Sequence, residues 1–396
     1  MPNCSVQLVI FEDRGVDALS PVTDLIPMQE AIVGGAKQFI RLERLLNMES
    51  KWIVRDHMRA RVPDSRKPDY GSPAIMLNSR LLSTDLDLKL DYGEALVCRG
   101  QVVAAKVRSL EESLEFERAK PCEVKLLENL WDLCPTSVVE HLRSDLMNIY
   151  GSSEMRADVN VIGKHAVVIE EGVDILGPLT IDAREGPVII ERDVLLEPYS
   201  YLKGPLYVGA NSQIVSGSRV AGSYLGVSTR VGGEVTTSII SDYSNKYHLG
   251  FLGHSYVGRW VNIGAGSITS NLKNTYGEVK VRGVATGLSR IGAFIGDHAK
   301  LSIGTLTYAG TVIGTASHVH GLVREEVPPF TIYGKSLGWE LVEIELDSVI
   351  RTYRRMAPRR NVEPDPNEEK LLEFLFERTE DLRRRMGVKK GKLGEV

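Results

Sequence analysis

The stretch IERDVLLEPYSYLKGPLYVGANSQIVSGSRV, residues 190–220, decides the architecture of this chain. Ile190, Leu196, Leu202, Val208, Ile214 and Val220 stand at every sixth place in it. A helix repeats every ~3.6 residues and a strand repeats every second residue, so a beat of six fits neither. It fits a solenoid in which each short strand gives one aliphatic residue to a shared interior and then turns through Gly, Asn, Asp or Ser. The beat returns at Val257 and Ile263, and again at Ile295, Leu301, Ile313 and Val319. The expected fold is a parallel β-helix.

Outward from that stretch, residues 159–333 are dense in glycine, valine and isoleucine. The hexads begin at Ile162, slip around Val168–Ile169 and settle from Ile190. Arg184–Pro187 and Asn274–Arg290 read as loops thrown out of the coil, the second long enough to line a site. The coil stops at Pro328-Pro329. Leu337–Tyr353 and Glu368–Met386 then read as two helices joined by a linker over 359–367. The first is expected to cap the open end of the coil, which otherwise exposes strand edges. Ahead of the coil, residues 1–135 read as mixed α/β. Strands are expected at Val6–Phe11, Lys51–Val54 and Ala74–Leu77, a helix over Gln29–Asn47, and a hairpin of Ala95–Val97 and Val102–Ala105 about Arg99-Gly100. Pro135–Tyr150 is a connecting helix, capped by Thr136 or Ser137 and ended by Gly151. The organisation is thus 1–135, an α/β domain; 136–158, a connecting helix; 159–333, the β-helix; and 334–396, a helical extension.

Composition bounds the function. The chain has 396 residues, of which 43% are hydrophobic, and a formal charge of −4 from 48 Lys and Arg against 52 Asp and Glu. No run approaches the ~18 apolar residues of a spanning helix, and the N-terminus lacks a signal pattern, so a cytoplasmic protein is expected. The charge balance argues against a nucleic-acid binder. Arg354, Arg355, Arg359, Arg360, Arg383, Arg384, Arg385, Lys389, Lys390 and Lys392 form a basic tail that reads as a solvated helix face. Cys4, Cys98, Cys122 and Cys134 have no zinc spacing and read as reduced packing residues.

The chemistry lies in KYHLGFLGHSYVGRWVNIGAGSITSN, residues 246–271. Its His248-Leu249, Phe251-Leu252-Gly253, Val257-Gly258, Val261-Asn262-Ile263-Gly264-Ala265-Gly266, Ser267-Ile268-Thr269 and Asn271 follow one another as in the acetyltransferase half of a known bifunctional family. That family is the N-acetylglucosamine-1-phosphate uridyltransferase / glucosamine-1-phosphate acetyltransferase, whose fold is a left-handed β-helix. The resemblance implies that His248 is the general base. An amino sugar is mostly an ammonium ion near neutrality, only its free amine attacks a thioester, and histidine is the residue type that can take the proton there. It also implies that Phe251 and Asn262 face the sugar acceptor and that Asn271 orients the acetyl group. Ala265, Gly266 and Ser302 would hold acetyl-CoA along the coil, with Lys335 placed to meet a coenzyme A phosphate. With roughly eighteen residues per coil in that family, Gly266 would stack ~4.8 Å above His248. His254, six residues on, points from the next face and reads as a surface residue. His318 and His320 alternate along one strand, but no third histidine joins them in register, so no metal is expected.

The chain also departs from the family. Its tyrosine is Phe251 here, and its phosphate-contacting lysine falls on Thr236; Arg219, Arg230 and Lys280 are the candidates to replace that charge. Ile32–Lys37 is the nearest approach to a glycine-rich nucleotide loop and sits in a helical pattern. Instead, Leu19-Ser-Pro-Val-Thr23 and Ile75–Leu82 resemble a group described as sugar nucleotidyltransferases, so 1–135 reads as a reduced domain of that kind. The expected protein is an acetyl-CoA-dependent N-acetyltransferase acting on an amino sugar phosphate or a nucleotide-linked amino sugar, in UDP-N-acetylglucosamine biosynthesis. The resemblance implies a homotrimer with sites between neighbouring coils. The alternatives are a Mg2+-dependent sugar-1-phosphate nucleotidyltransferase trimerised by its coil, and a sugar-nucleotide-binding scaffold without turnover.

Overall fold

A computed structural model describes residues 6–83, 86–111, 118–149 and 159–391. Cys4, Tyr150, Gly151 and Lys392 lie outside the described residues. Two compact units emerge, 1–130 and 131–396.

In the first unit, a six-stranded sheet runs Ser50–Ile53, Gln7–Phe11, Ala74–Asn78, Gln101–Val107, Glu94–Cys98 and Arg118–Pro121. The first three strands are parallel. The next two form the expected hairpin, with Arg99 and Gly100 both at positive φ. Val9, Met76, Ala95 and Ala105 pack together on one side of this sheet. The helix expected over Gln29–Asn47 is only half present. Ile32–Val33 and Ala36–Lys37 pair as an antiparallel hairpin through Gly34 at φ 65°, and helix α1 begins at Gln38 and ends at Leu46. Two adjacent glycines are costly inside a helix and well suited to a turn, while β-branched Ile32 and Val33 favour the extended backbone.

The second unit is the β-helix. Its strands stack into three parallel sheets: sheet I from Val167–Ile169 to Val312–Ile313, sheet II from Asp174–Ile175 onward, and sheet III from Asn160–Gly163 to Leu322–Val323. Every residue of the sixfold beat is buried in one continuous core. At about 2 kcal/mol for each fully buried aliphatic side chain, this interior holds the fold together. The coils vary in length. Ile190 lies opposite Val208, Leu225 opposite Ile240, and Ile240 opposite Val257. They therefore shorten from 18 residues to 15 and return to 17, which is why the beat vanishes between Val220 and Val257. Ile162 does not open the series: it is 39% exposed, and Val161 faces the core in its place. The loop 274–290 leaves the coil as expected, carrying a small hairpin of Lys280–Val281 and Val284–Ala285.

Helix α2 spans Pro135–Ile149. The helix expected from Leu337 starts only at Leu346, as α3 (Leu346–Met356). Val342–Glu343 instead adds an antiparallel strand to Thr331–Tyr333 and closes the end of sheet II. An edge left by the last coil captured residues that local periodicity assigned to a helix. The last expected helix is broken at Thr379 into α4 (Pro366–Arg378) and α5 (Glu380–Arg385). The extension is latched to the coil by charge. Glu368, 2% exposed, meets Arg259 at 2.9 Å and His298 Nε2 at 2.9 Å, while Arg259 also meets Asp297 at 2.6 Å. Removing one partner of such a buried set costs ~3–5 kcal/mol. Nor is the basic tail a uniform solvated face, since Arg383 is 1% exposed and bonded to Glu343 at 2.6 Å. Cys98, Cys122 and Cys134 are thiols outside any disulfide, the last of them buried.

Candidate active site

The coil that carries residues 246–271 distributes them over the edges and faces of a three-sided prism. Asn245–Lys246 belongs to sheet II, Phe251–Gly253 to sheet III and Tyr256–Val257 to sheet I. His248 therefore sits in the turn between sheets II and III, and His254 in the turn between sheets III and I.

At the first edge His248 is exposed and Leu249 is 74% exposed. Asn245 lies opposite Asn262 and Phe251 opposite Ile268. This coil thus advances by 17 residues, and the residue stacked over His248 is Ala265, not Gly266 as an eighteen-residue coil would place it. Gly264 belongs there for a steric reason: a Cβ would stand 2.6 Å from the Ile303 nitrogen. The turn is fastened from inside. Lys246 occupies a core position between Val231 and Ile263, is 2% exposed, and reaches back so that Nζ donates to the His248 carbonyl at 2.6 Å and the Gly232 carbonyl at 2.8 Å. Burial pulls its pKa down to about 8. The signal was present in the sequence, because Lys246 stands six places after Ile240 and six before Leu252.

The second edge is closed. His254 is largely buried and not a surface residue; its Nδ1 lies 2.7 Å from Asn271 Nδ2. Burial, helped by the positive charge of Arg290, lowers its pKa to about 4. The Cys134 thiol donates to its carbonyl at 3.6 Å. Asn271 therefore faces His254 and not His248, and sheet III stands between the two motif-matched groups.

The outward face of sheet II stacks Arg230, Asn245, Asn262, Lys300 and His318 in register. Over it, the end of α3 and the turn Ala357–Arg360 complete a cavity of about 340 Å³. Arg230, Asn245, Trp260, Asn262, Lys300, Met356, Arg359 and Arg360 line it. Asn245 Nδ2 donates to Asn262 Oδ1 at 2.8 Å. Two expected residues, Arg230 and Asn262, thus meet here with Lys300, Arg359 and Arg360, which the sequence reading left without a role.

The other candidates are not gathered. Arg219 points out from sheet III and pairs with Glu234 at 3.1 Å. Phe251 is on that same face. Lys280 lies on the 274–290 hairpin beside Tyr308 and Arg324. Ser302, in the turn above Ala265, accepts through its carbonyl from the Ser267 hydroxyl at 3.1 Å. Lys335 pairs with Glu325 at 2.7 Å, so its ammonium is already engaged. His298 is bound to Glu368 and His320 packs on Trp339 at 5.0 Å. Among the described residues no three His, Cys, Asp or Glu side chains converge as a metal set.

In the N-terminal unit a cavity of about 480 Å³ opens at the carboxyl ends of the strands Gln7–Phe11 and Ala74–Asn78, lined by Asp13, Gly15, Arg80 and Gln101. Ligands of open α/β sheets occupy that crevice. Asp13 accepts from Arg80 at 2.6 and 2.7 Å, from Asn78 Nδ2 at 2.8 Å and from the Gly15 N–H at 3.0 Å. Burial works to raise its pKa, but these donors outweigh it and hold the carboxyl below its usual range.

Residues 8–152 match the family described as sugar nucleotidyl transferase. The curated relatives include the bifunctional protein GlmU of Thermotoga sp. (strain RQ2), 27% identical over 216 residues, covering 44% of this chain and 46% of the relative. A bifunctional sugar-1-phosphate nucleotidylyltransferase/acetyltransferase of Sulfurisphaera tokodaii is 30% identical over 152 residues, covering 34% and 36%. Over the matched residues the chain is similar to these bifunctional GlmU-type proteins. The matches span less than half the length of these relatives. Among solved structures, a Francisella novicida UDP-N-acetylglucosamine acyltransferase aligns with 61% of this chain and 94% of its own at 13% identity, with a TM-score of 0.28. No described helix is long and apolar enough to cross a membrane.

Proposed function

We propose that the chain is an acetyl-CoA-dependent N-acetyltransferase for a phosphorylated or nucleotide-linked amino sugar, with His248 as general base. The observation that carries this reading is the His248 turn itself. It presents an exposed imidazole on a backbone whose carbonyl accepts from Lys246 in the core, beneath the small residues Gly264-Ala265-Gly266. The amine nitrogen attacks the thioester carbonyl, His248 takes the proton that nitrogen loses and passes it to the sulfur as the C–S bond breaks, and coenzyme A leaves as the thiol. The edge-on run of small residues suits the thin arm of the cofactor; Lys335 would have to exchange its exposed pairing with Glu325 to meet a coenzyme A phosphate.

Because His248 and Asn271 lie on opposite edges of one prism, the proposed site draws its two edges from two copies of the chain, in a homotrimer. The deciding experiment is acetyl-CoA-dependent thiol release with a panel of amino sugar phosphates and nucleotide derivatives, native chain beside His248→Ala. Turnover lost in the variant supports the reading, and equal turnover in both removes His248 from it.

A second reading is favoured by the match over residues 8–152 and by the cavity beside Asp13, namely binding of a nucleotide sugar in the N-terminal unit. The oxygens of Asp13 are taken up by Arg80, Asn78 and Gly15. That donor set does not fit Mg2+, which wants free carboxylate oxygens. We therefore assign this cavity binding and not nucleotidyl transfer. Calorimetry with UDP-sugars, with and without Mg2+, tests it: affinity that needs Mg2+ would contradict this assignment.

A further inference from the structure

We infer that the cavity on the outer face of sheet II is a phosphoryl-binding pocket, closed by the C-terminal extension. Four cationic side chains line it: Arg230 and Lys300 from the coil, Arg359 and Arg360 from the turn that follows α3. No carboxylate is among its lining residues. That is not the habit of this extension, where Arg354 pairs with Glu369, Arg383 with Glu343, Arg384 with Asp381 and Lys390 with Glu380. The three arginines converge on the cavity with no carboxylate lining it to offset them.

Arg360 shows the consequence most directly. Its Nε is buried with no hydrogen-bond partner. Its pKa is pulled down to about 10, first by burial and then by Arg230 and Arg359. Lys300, whose Nζ donates to the Trp260 and His298 carbonyls, is drawn down to about 7 by burial, against the opposing pull of Asp297. Like charges held together in a partly dry site are unfavourable until an anion joins them. A phosphoryl group, with several acceptor oxygens and a fixed geometry for arginine forks, is the chemistry that matches. Asn262 accepts from Asn245 through Oδ1, which leaves its own amide group to donate to such a ligand.

The pocket is within reach of the proposed base. Asn245 is three residues before His248, a span of at most ~10 Å. A phosphoryl group bound here would sit within a sugar's length or so of the His248 edge. Phosphoryl capture itself rests on charge and cavity and stands apart from acyl transfer.

The test is calorimetric titration of the full chain, at low salt, with inorganic phosphate, pyrophosphate, glucosamine-1-phosphate, UDP and coenzyme A. Saturable binding of at least one is expected, weakened 10-fold or more in Arg230→Gln and in Arg360→Gln, and changed less than 2-fold in Arg354→Gln. Arg230→Gln lies on the coil, so it keeps the test decisive if Arg360→Gln unfolds the extension. Tightest binding of the sugar phosphate identifies the acceptor as the source of the phosphoryl group, and tightest binding of UDP or coenzyme A identifies a nucleotide. Equal affinity in native and Arg230→Gln chains, or no binding at millimolar ligand, would overturn the proposal. Binding that survives in a chain without acetyl transfer separates its fate from that of the acyltransferase reading.

Discussion

The two edges that flank sheet III are built from one unbroken motif, yet they are opposites. At one, His248 is open to solvent, its backbone carbonyl held by Lys246 and its ring edge-on to Tyr247 at 5.3 Å. At the other, His254 is mostly covered and packs against Asn271, and burial lowers its pKa to about 4. A catalytic base must be reached by its substrate and must be able to take a proton; a buried histidine held neutral satisfies packing. The contrast teaches that a motif read along the chain can be divided in space between an open edge and a closed one, and that exposure at its edge is what separates the two histidines.

The largest effect that sharpens this contrast is at the open edge. His248→Ala should lower kcat for thiol release by ~10²–10⁴-fold, the range of a general base, with unchanged circular dichroism. His254→Ala at the closed edge should instead lower Tm and leave kcat per folded molecule within a few-fold. If the two variants exchange these phenotypes, the assignment of the edges is reversed. Next in size, Asn271→Ala should be inactive alone, while a refolded mixture of His248→Ala and Asn271→Ala chains should regain activity, since some assemblies then hold one intact pair of edges. A mixture as inactive as its components would place both groups in one chain's site.

Lys246→Met probes how the open edge is held. Met fills the core position but cannot bond the His248 carbonyl, so kcat should fall roughly 10-fold, by analogy with lost positioning contacts, while the chain stays folded. Lys246 has a folded pKa of about 8, below the ordinary lysine value. Between pH 8 and that ordinary value the unfolded chain holds the proton and the folded chain does not, so native stability rises with pH there by ~2–3 kcal/mol. The Met variant lacks this rise, and urea titrations at pH 7.5 and pH 10 should show the native chain gaining relative to it. The smallest effect is expected at Arg219→Gln. Its guanidinium pairs with Glu234 on the face of sheet III, and exposed pairs contribute ~0–1 kcal/mol; KM should move less than 2-fold. A larger shift would bring sheet III into the acceptor site.

Much of this molecule was legible along the chain because a solenoid is nearly one-dimensional: each coil touches only its neighbours, so the beat of Ile190 to Val220 specifies the core directly. The strands Gln7–Phe11 and Ala74–Asn78 and the Arg99-Gly100 hairpin were equally plain. Local pattern failed at Val342–Glu343, where an unpaired sheet edge outweighed helical periodicity, and at Ile32–Lys37, where two glycines made a turn.

The sequence by itself determined the β-helix, the place of His248 in it and the residues of the motif, since all of these follow from spacing within one or two coils. Only the tertiary structure decided which residues share a site. A coil of 17 residues set Ala265 over His248, the winding of the prism put Asn271 on the other edge, and the folding back of α3 brought Arg359 and Arg360 over Arg230 and Lys300. The physical reason is distance along the chain. Hydrophobic periodicity encodes neighbours a few residues apart, whereas the meeting of residue 230 with residue 360 depends on the buried latch of Arg259, His298 and Glu368, which no local pattern records.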